Sequence, residues 1–147
     1  MNEISQFLSS QSNDAATTKA KSRAEQYLIA TDDLYSHIET WLKDSIDNGF
    51  VSGLTRRSID LMEQVSGSYG APELTFNVAT TTVRFVPKGA NILGAEGRID
   101  AQSSKGRHAL IVLIDKKWHV VDPVHKQKRS ELSESGFLEL LKHLLGS

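Results

Sequence analysis

The chain has 147 residues, no cysteine and a formal net charge of −1. A disulfide scaffold, a thiolate zinc site and a cysteine nucleophile are therefore excluded. Residues 1–72 hold six basic and ten acidic side chains, net −4, and residues 73–147 hold eleven and eight, net +3, so neither half has the basicity typical of nucleic-acid binding.

The first residues lack the basic and apolar stretches of a signal peptide, and no apolar run approaches the roughly 20 residues that span a bilayer. These features predict a cytoplasmic protein with no membrane partner.

A long amphipathic helix is predicted after a polar N-terminal segment. Residues 1–17 are mostly small and polar and predict a flexible arm, which precedes a single α+β domain over residues 18–147. Between residues 18 and 47, apolar and aromatic side chains recur at steps of three and four, which is the spacing of one helix face. Asn48-Gly49 should end this helix, because glycine adopts the left-handed conformation at low cost. The predicted stripe consists of Tyr27, Thr31, Leu34, Tyr35, Ile38, Trp41, Leu42 and Ser45.

A second helix is predicted over residues 53–65, with Ser52 as its N-cap. The stripe of this helix would consist of Leu54, Ser58, Leu61, Met62 and Val65, which recur at helical spacing. The segment that follows, residues 66–72, is rich in serine and glycine and is predicted to be a linker.

The second half of the chain predicts an antiparallel meander of about five strands. These strands are expected at residues 73–78, 80–86, 92–101, 108–114 and 118–121. The turns between them are too short for parallel crossovers, which need a dozen or more residues. A leucine-rich helix that ends near Leu145 should close the chain and pack on the sheet. The predicted fold class is therefore α+β, with two N-terminal helices, the sheet and one C-terminal helix.

Residues 110–114 form the most strongly apolar strand and should lie at the centre of the sheet. Because this run is apolar on both faces, we expect other elements to cover it on both sides. The run itself carries no side chain capable of catalysis.

One candidate for chemistry is the set His119, Asp122 and His125, at the end of the last predicted strand. Two histidines and a carboxylate can bind zinc or iron, and a histidine with an aspartate can transfer protons. The alternative is an exposed strand histidine, an aspartate that forms a turn before proline, and a loop histidine.

A second candidate is a polar sheet face. Glu96, Arg98 and Asp100 alternate along one predicted strand, and Arg84 lies on the strand before it. If the two strands present these four side chains on the same face of the sheet, the side chains could form a surface that binds a partner. Alternatively, the two carboxylates could act as a pair in hydrolysis. The alternative is a solvated face with ion pairs between strands.

The sequence favours a non-enzymatic protein-interaction domain, such as an adaptor, a toxin-neutralising partner or a chaperone-like protein. Its expected partner is another protein, and a homodimer through the long N-terminal helix is a further expectation. No cofactor is predicted. One alternative is a small enzyme or metal-binding domain that uses His119, Asp122 and His125. The other is a domain that binds a small molecule between sheet and helices.

Overall fold

The fold consists of helices at both ends of the chain and a meander of strands between them. A computed structural model describes residues 3–64, 66–90, 94–122, 125 and 128–146, and for residues 7–21 it gives the helical backbone alone. Helix α1 spans Glu3–Asp47, and helix α2 spans Glu134–Leu145. The strands are β1 (Val51–Glu63), β2 (Gly67–Val78), β3 (Thr81–Gly89), β4 (Gly97–Ser103), β5 (His108–Ile114), β6 (Lys117–Val121) and β7 (Arg129–Glu131).

The strands within the described ranges form one antiparallel sheet in the order β1-β2-β3-β4-β5-β6-β7. The predicted antiparallel meander is confirmed, but the sheet has seven strands where about five were expected. Aromatic contacts place the helices on one face, here called the inner face. The Phe137 ring of α2 lies 5.4 Å from that of Trp41 in α1 and 6.4 Å from that of Phe85 in β3. The main hydrophobic core therefore lies between the two helices and the inner face.

Helix α1 buries the stripe that the sequence predicts. Tyr27, Tyr35 and Ile38 are fully buried against the sheet, and Gly49, with φ of 78°, follows the last turn as expected. The helix begins at Glu3, so the backbone of residues 1–17 is helical from that residue onward. The mobility of that segment as an arm stays a prediction. No helix in the described part of the chain combines the length and apolarity required to cross a membrane.

The predicted second helix over residues 53–65 is wrong. This segment forms β1, which pairs with β2 from Val51 opposite Val78 to Glu63 opposite Gly67. The predicted linker over residues 66–72 is likewise the first half of β2, apart from Ser66. The prediction failed because Leu54, Leu61 and Met62 fit a helical stripe, whereas pairing with the adjacent strand β2 decides the conformation. Residue 65 lies outside the described residues.

The hairpin of β5 and β6 forms as predicted. Asp115 and Lys116 have φ of 51° and 63°, which is the left-handed pair that a two-residue type I′ turn requires. The closing helix is also confirmed: Ser133 caps α2 by accepting a hydrogen bond from the Gly136 N–H at 3.2 Å. The strand predicted over residues 92–101 begins at Gly97 as β4, and residues 91–93 lie outside the described residues.

Within the described part of the chain, strand β5 is covered by helices on its inner face only, whereas the sequence predicts that other elements cover both of its faces. Leu110, Val112 and Ile114 point away from the helices and remain half-buried, whereas Ile111 and Leu113 on the inner face are buried. Both helices lie on the inner face, so the apolar outer half of this strand is left partly open to solvent.

Tyr35 closes a gap between β2 and β3. The two strands pair from Val78 opposite Thr81 to Leu74 opposite Phe85, and two residues further on Pro72 would face Pro87. Neither proline has an N–H to donate. The Tyr35 hydroxyl lies 2.9 Å from the carbonyl oxygen of Pro72 and 3.2 Å from that of Phe85, so it supplies a donor that the ladder lacks.

Replacing Tyr35 with phenylalanine should lower the free energy of unfolding by about 1–3 kcal/mol, because a buried carbonyl loses its donor. Chemical denaturation of both proteins measures this loss. Tyr69→Phe is the matched control and should cost less, because the Tyr69 hydroxyl bonds Glu63 in a half-exposed setting. Equal losses in the two variants would contradict the role given to Tyr35.

Candidate binding groove

An open groove of about 1130 Å³ runs between α1 and the inner-face ends of β5 and β6. Its floor is apolar, and its rim carries exposed charged side chains of both signs. The floor is formed by Ala30, Leu34, Trp41, Leu113, Trp118 and Leu132. The charged side chains of the rim are Arg23, Asp33, Glu96, Lys116, Lys117 and Glu131, and His37 lies beside them.

The two tryptophans of the chain both line this groove, and both are held by specific contacts. The Trp118 indole N–H donates to the Ala30 carbonyl at 2.9 Å, and its ring lies edge-on to Tyr27 at 6.2 Å. The Trp41 ring packs between His37, at 5.8 Å, and Phe137 of α2, at 5.4 Å. These contacts therefore fix the positions of both tryptophan rings in the apolar floor.

Tyr27 fixes the position of α1 next to this groove. Its hydroxyl donates to the Arg98 carbonyl at 2.8 Å and lies 3.3 Å from the Gly89 N–H, which donates to it. Burial raises the pKa of Tyr27 to about 12, so the hydroxyl remains a donor at physiological pH. The tyrosine ring lies against Gly97, where a Cβ atom would come within 2.3 Å of ring carbon Cδ1.

The structure separates Glu96 from the other polar side chains that the sequence places with it on one sheet face. Glu96 precedes β4 and lines the groove, where its carboxylate accepts a hydrogen bond from the Lys116 N–H at 3.2 Å. Arg98 and Asp100 lie together on the outer face, with two guanidinium–carboxylate contacts of 2.7 and 3.1 Å. That pairing stabilises the charged form of Arg98 and raises the pKa of its guanidinium.

Arg84 lies on the same outer face in β3, 3.8 Å from the carboxylate of Glu73. Its side chain is 51% exposed. The outer face thus carries paired charges of the kind expected for a solvated sheet surface. Its possible role in binding a partner stays a prediction.

His119, Asp122 and His125 are close in sequence but serve different local contacts. His119 lies on the outer face between Val112 of β5 and Glu131 of β7. The Asp122 carboxylate accepts a hydrogen bond from the His125 N–H at 2.9 Å, which is a turn-forming contact. The Asp122 and His125 side chains approach only to 3.9 Å, and both are well exposed. Among the described residues, no cluster of three histidine or acidic side chains is placed to hold a metal ion.

Several groove residues were not identified from the sequence. Ile29 is 67% exposed on the rim, and an exposed isoleucine on a polar helix side was the available signal. Leu132 follows β7, and its N–H donates to the Trp118 carbonyl at 2.8 Å, a contact that only the fold reveals. A smaller cleft of about 340 Å³ lies between β6 and α2, beside Val120 and Leu140.

Comparisons with known proteins found no match for this chain. No protein-family model matches the chain, no curated protein is similar to it, and no solved structure matches its fold.

Proposed function

We propose that this protein is a non-catalytic interaction domain whose groove binds a segment of another polypeptide. The observation that supports this most is the apolar floor of the groove, where Trp41 and Leu132 remain partly exposed beside the buried Trp118. Aromatic side chains in a preformed apolar depression are typical anchors of protein interfaces. The exposed Ile29 extends the apolar surface onto the rim.

The dimensions of the groove suit an extended or helical segment. Arg23 and Trp41 mark the two ends of the α1 portion that lines it, and at 1.5 Å per residue this portion is about 27 Å long. An amphipathic helix of that length would place several anchors at helical spacing on the floor. Basic and acidic rim side chains would then contact the polar side of the same segment, which favours a partner with mixed charge.

The small-molecule alternative uses the same groove. Ligand pockets usually have volumes of about 300–1,000 Å³ and enclose most of the ligand. This groove exceeds that range and lies open along one side, which favours a polypeptide over a compact ligand.

Replacing Leu132 with aspartate should weaken binding of a groove ligand at least about tenfold, because the charge falls on the apolar floor. The probe is a displayed library of random polypeptide segments selected on the wild-type protein. Binding of enriched segments is then measured from intrinsic fluorescence, since both tryptophans line the groove. Leu138→Asp is the matched control, because Leu138 is 52% exposed on α2 and is not part of the groove lining.

Enriched segments that bind wild type and Leu138→Asp equally, and Leu132→Asp weakly, would support the proposal. Segments that bind all three proteins alike would contradict it, as would a selection that enriches nothing. A parallel thermal-shift screen with small molecules tests the alternative, because a ligand of the folded state raises the melting temperature.

The homodimer predicted through α1 stays a proposal. The aromatic stripe of α1 is buried against the chain's own sheet, so such a dimer would have to use the remaining helix surface. Ile29 and Ile4, which are 67% and 70% exposed, are the large apolar side chains that this surface offers among the described residues.

A further inference from the structure

The two edges of the sheet are very different in length. At one edge β7 has three residues, whereas at the other β1 has 13 and pairs with β2 alone within the described ranges. Proteins usually protect a long edge with lysine, proline, a bulge or a covering element, because its free N–H and C=O groups can bind another strand. Strand β1 contains neither lysine nor proline, and its one irregularity lies at the N-terminal end, between Ser52 and Thr55.

The orientation of the β1 backbone follows from its neighbour. Ser58 lies opposite Pro72, which has no N–H and whose carbonyl accepts a hydrogen bond from Tyr35. Ser58 and Pro72 therefore form a non-hydrogen-bonded pair, and the N–H and C=O groups of Ser58 point to the open edge. Because this direction alternates along a strand, the backbone groups of Arg56 and Asp60 point the same way.

We propose that β1 pairs antiparallel with β1 of a second copy, about a two-fold axis at Ser58, and joins two sheets into one. In this register Arg56 lies opposite Asp60 of the second copy, and Leu54 opposite its Met62. Met62 is 78% exposed in the single chain, and the pairing covers it with an apolar neighbour. The interface is isologous, so each contact occurs twice.

The charges along β1 favour this direction of pairing. The first half of the strand carries Arg56 and Arg57, and the second half carries Asp60 and Glu63. Antiparallel pairing places the basic half of one strand beside the acidic half of the other, whereas parallel pairing would align like charges.

The conformation of Arg56 also leaves the edge clear. Its guanidinium is drawn to α1, with contacts of 2.6 Å to both Asp32 and Glu39. The side chain therefore lies over the sheet and does not extend across the edge.

This dimer is independent of the proposed groove function. The groove borders β5 and β6 near the opposite edge of the sheet, and none of its lining residues belongs to β1. A dimer through β1 leaves both grooves open to their partners.

The first test compares Ser58→Pro with Ser58→Ala by sedimentation equilibrium of the full chain. Proline removes the N–H at the dyad without removing a hydrogen bond to β2, and edge strands tolerate it. We expect wild type and Ser58→Ala to have twice the mass of one chain and Ser58→Pro to have the mass of one chain. Circular dichroism checks that the proline variant is folded.

The second test does not depend on that variant. The natural chain has no cysteine, so Ser58→Cys introduces a single thiol at the dyad. Opposite residues of a hydrogen-bonded pair have Cα atoms about 5.5 Å apart, which is within disulfide range. Mild oxidation should cross-link Ser58→Cys readily and Thr55→Cys, on the same strand but off the axis, much more slowly.

A wild-type chain that remains monomeric up to its solubility limit would overturn the proposal. So would a dimer that a folded Ser58→Pro variant retains, or equal cross-linking of the two cysteine variants, because each would place the contact elsewhere on the molecule.

Discussion

Replacing Gly97 with alanine should lower the free energy of unfolding by about 2–3 kcal/mol, although only one methyl group is added. The new Cβ would come within 2.3 Å of Tyr27 Cδ1 and within 2.8 Å of Cε1. Tyr27 cannot easily move away, because its hydroxyl is bonded to the Arg98 carbonyl and the Gly89 N–H. The clash is therefore expected to displace α1 from the sheet, and chemical denaturation measures the cost.

A double-mutant cycle separates this clash from a general effect on the strand. Tyr27→Leu removes the ring carbons that the new methyl group would meet. In the Tyr27→Leu background, Gly97→Ala should lower the free energy of unfolding much less than it does in wild type. An equal cost in both backgrounds would show that contact with Tyr27 is not the reason for glycine at this position.

The protein should lose stability steeply as the pH rises above 10, because its tyrosines are held in the neutral form. Burial raises the pKa of Tyr27 to about 12, and burial also raises the pKa of Tyr35 and Tyr69. The unfolded chain releases these protons near pH 10, and the folded chain retains them to higher pH. The stabilisation is thus complete below pH 10 and is lost as the pH rises through the folded-state value.

For Tyr27 alone, a shift of this size corresponds to about 2–3 kcal/mol between pH 10 and pH 12. Denaturation curves recorded across that range measure the decline, and tyrosinate absorbance reports ionisation directly. Tyr27→Phe should be less stable at neutral pH but should show a shallower decline. A decline of the same slope in this variant would exclude Tyr27 as its source.

Local patterns in the sequence were sufficient to predict those elements whose turns and caps are formed by residues close together along the chain. The β5–β6 hairpin follows from an apolar run and a two-residue turn at Asp115 and Lys116. The closing helix follows from Ser133 and a leucine-rich segment. In both cases the residues that determine the element lie within a few positions of one another.

Strand β1 could not be identified from its own residues, although its partner strand β2 follows after a short turn. Its conformation depends on a ladder with β2 and on the ion pairs of Arg56 with Asp32 and Glu39 of α1. Its apolar residues alone suit either a helix or a strand, so the pairing partner decides.

The candidate site was also only partly accessible from the sequence. Trp41 was assigned to a core stripe and Trp118 to a strand, and both assignments are compatible with lining a groove. The groove exists because Leu132 and the β5–β6 turn approach α1 in space. No spacing along the chain encodes that approach. Most of the polar residues that the sequence predicts as a site lie instead on the outer face, namely Arg84, Arg98, Asp100 and His119.

Tyr35 has a consequence for the order in which the molecule assembles. At the level of Pro72 and Pro87 the two halves of the sheet share no amide donor, and the helix hydroxyl bridges them instead. The hydrogen-bond ladder between β2 and β3 is therefore not expected to form beyond this level until α1 packs on the sheet. When α1 detaches transiently, the hairpin of β1 and β2 should also separate from β3. Amide hydrogen exchange should therefore show α1 and this hairpin opening as one cooperative unit.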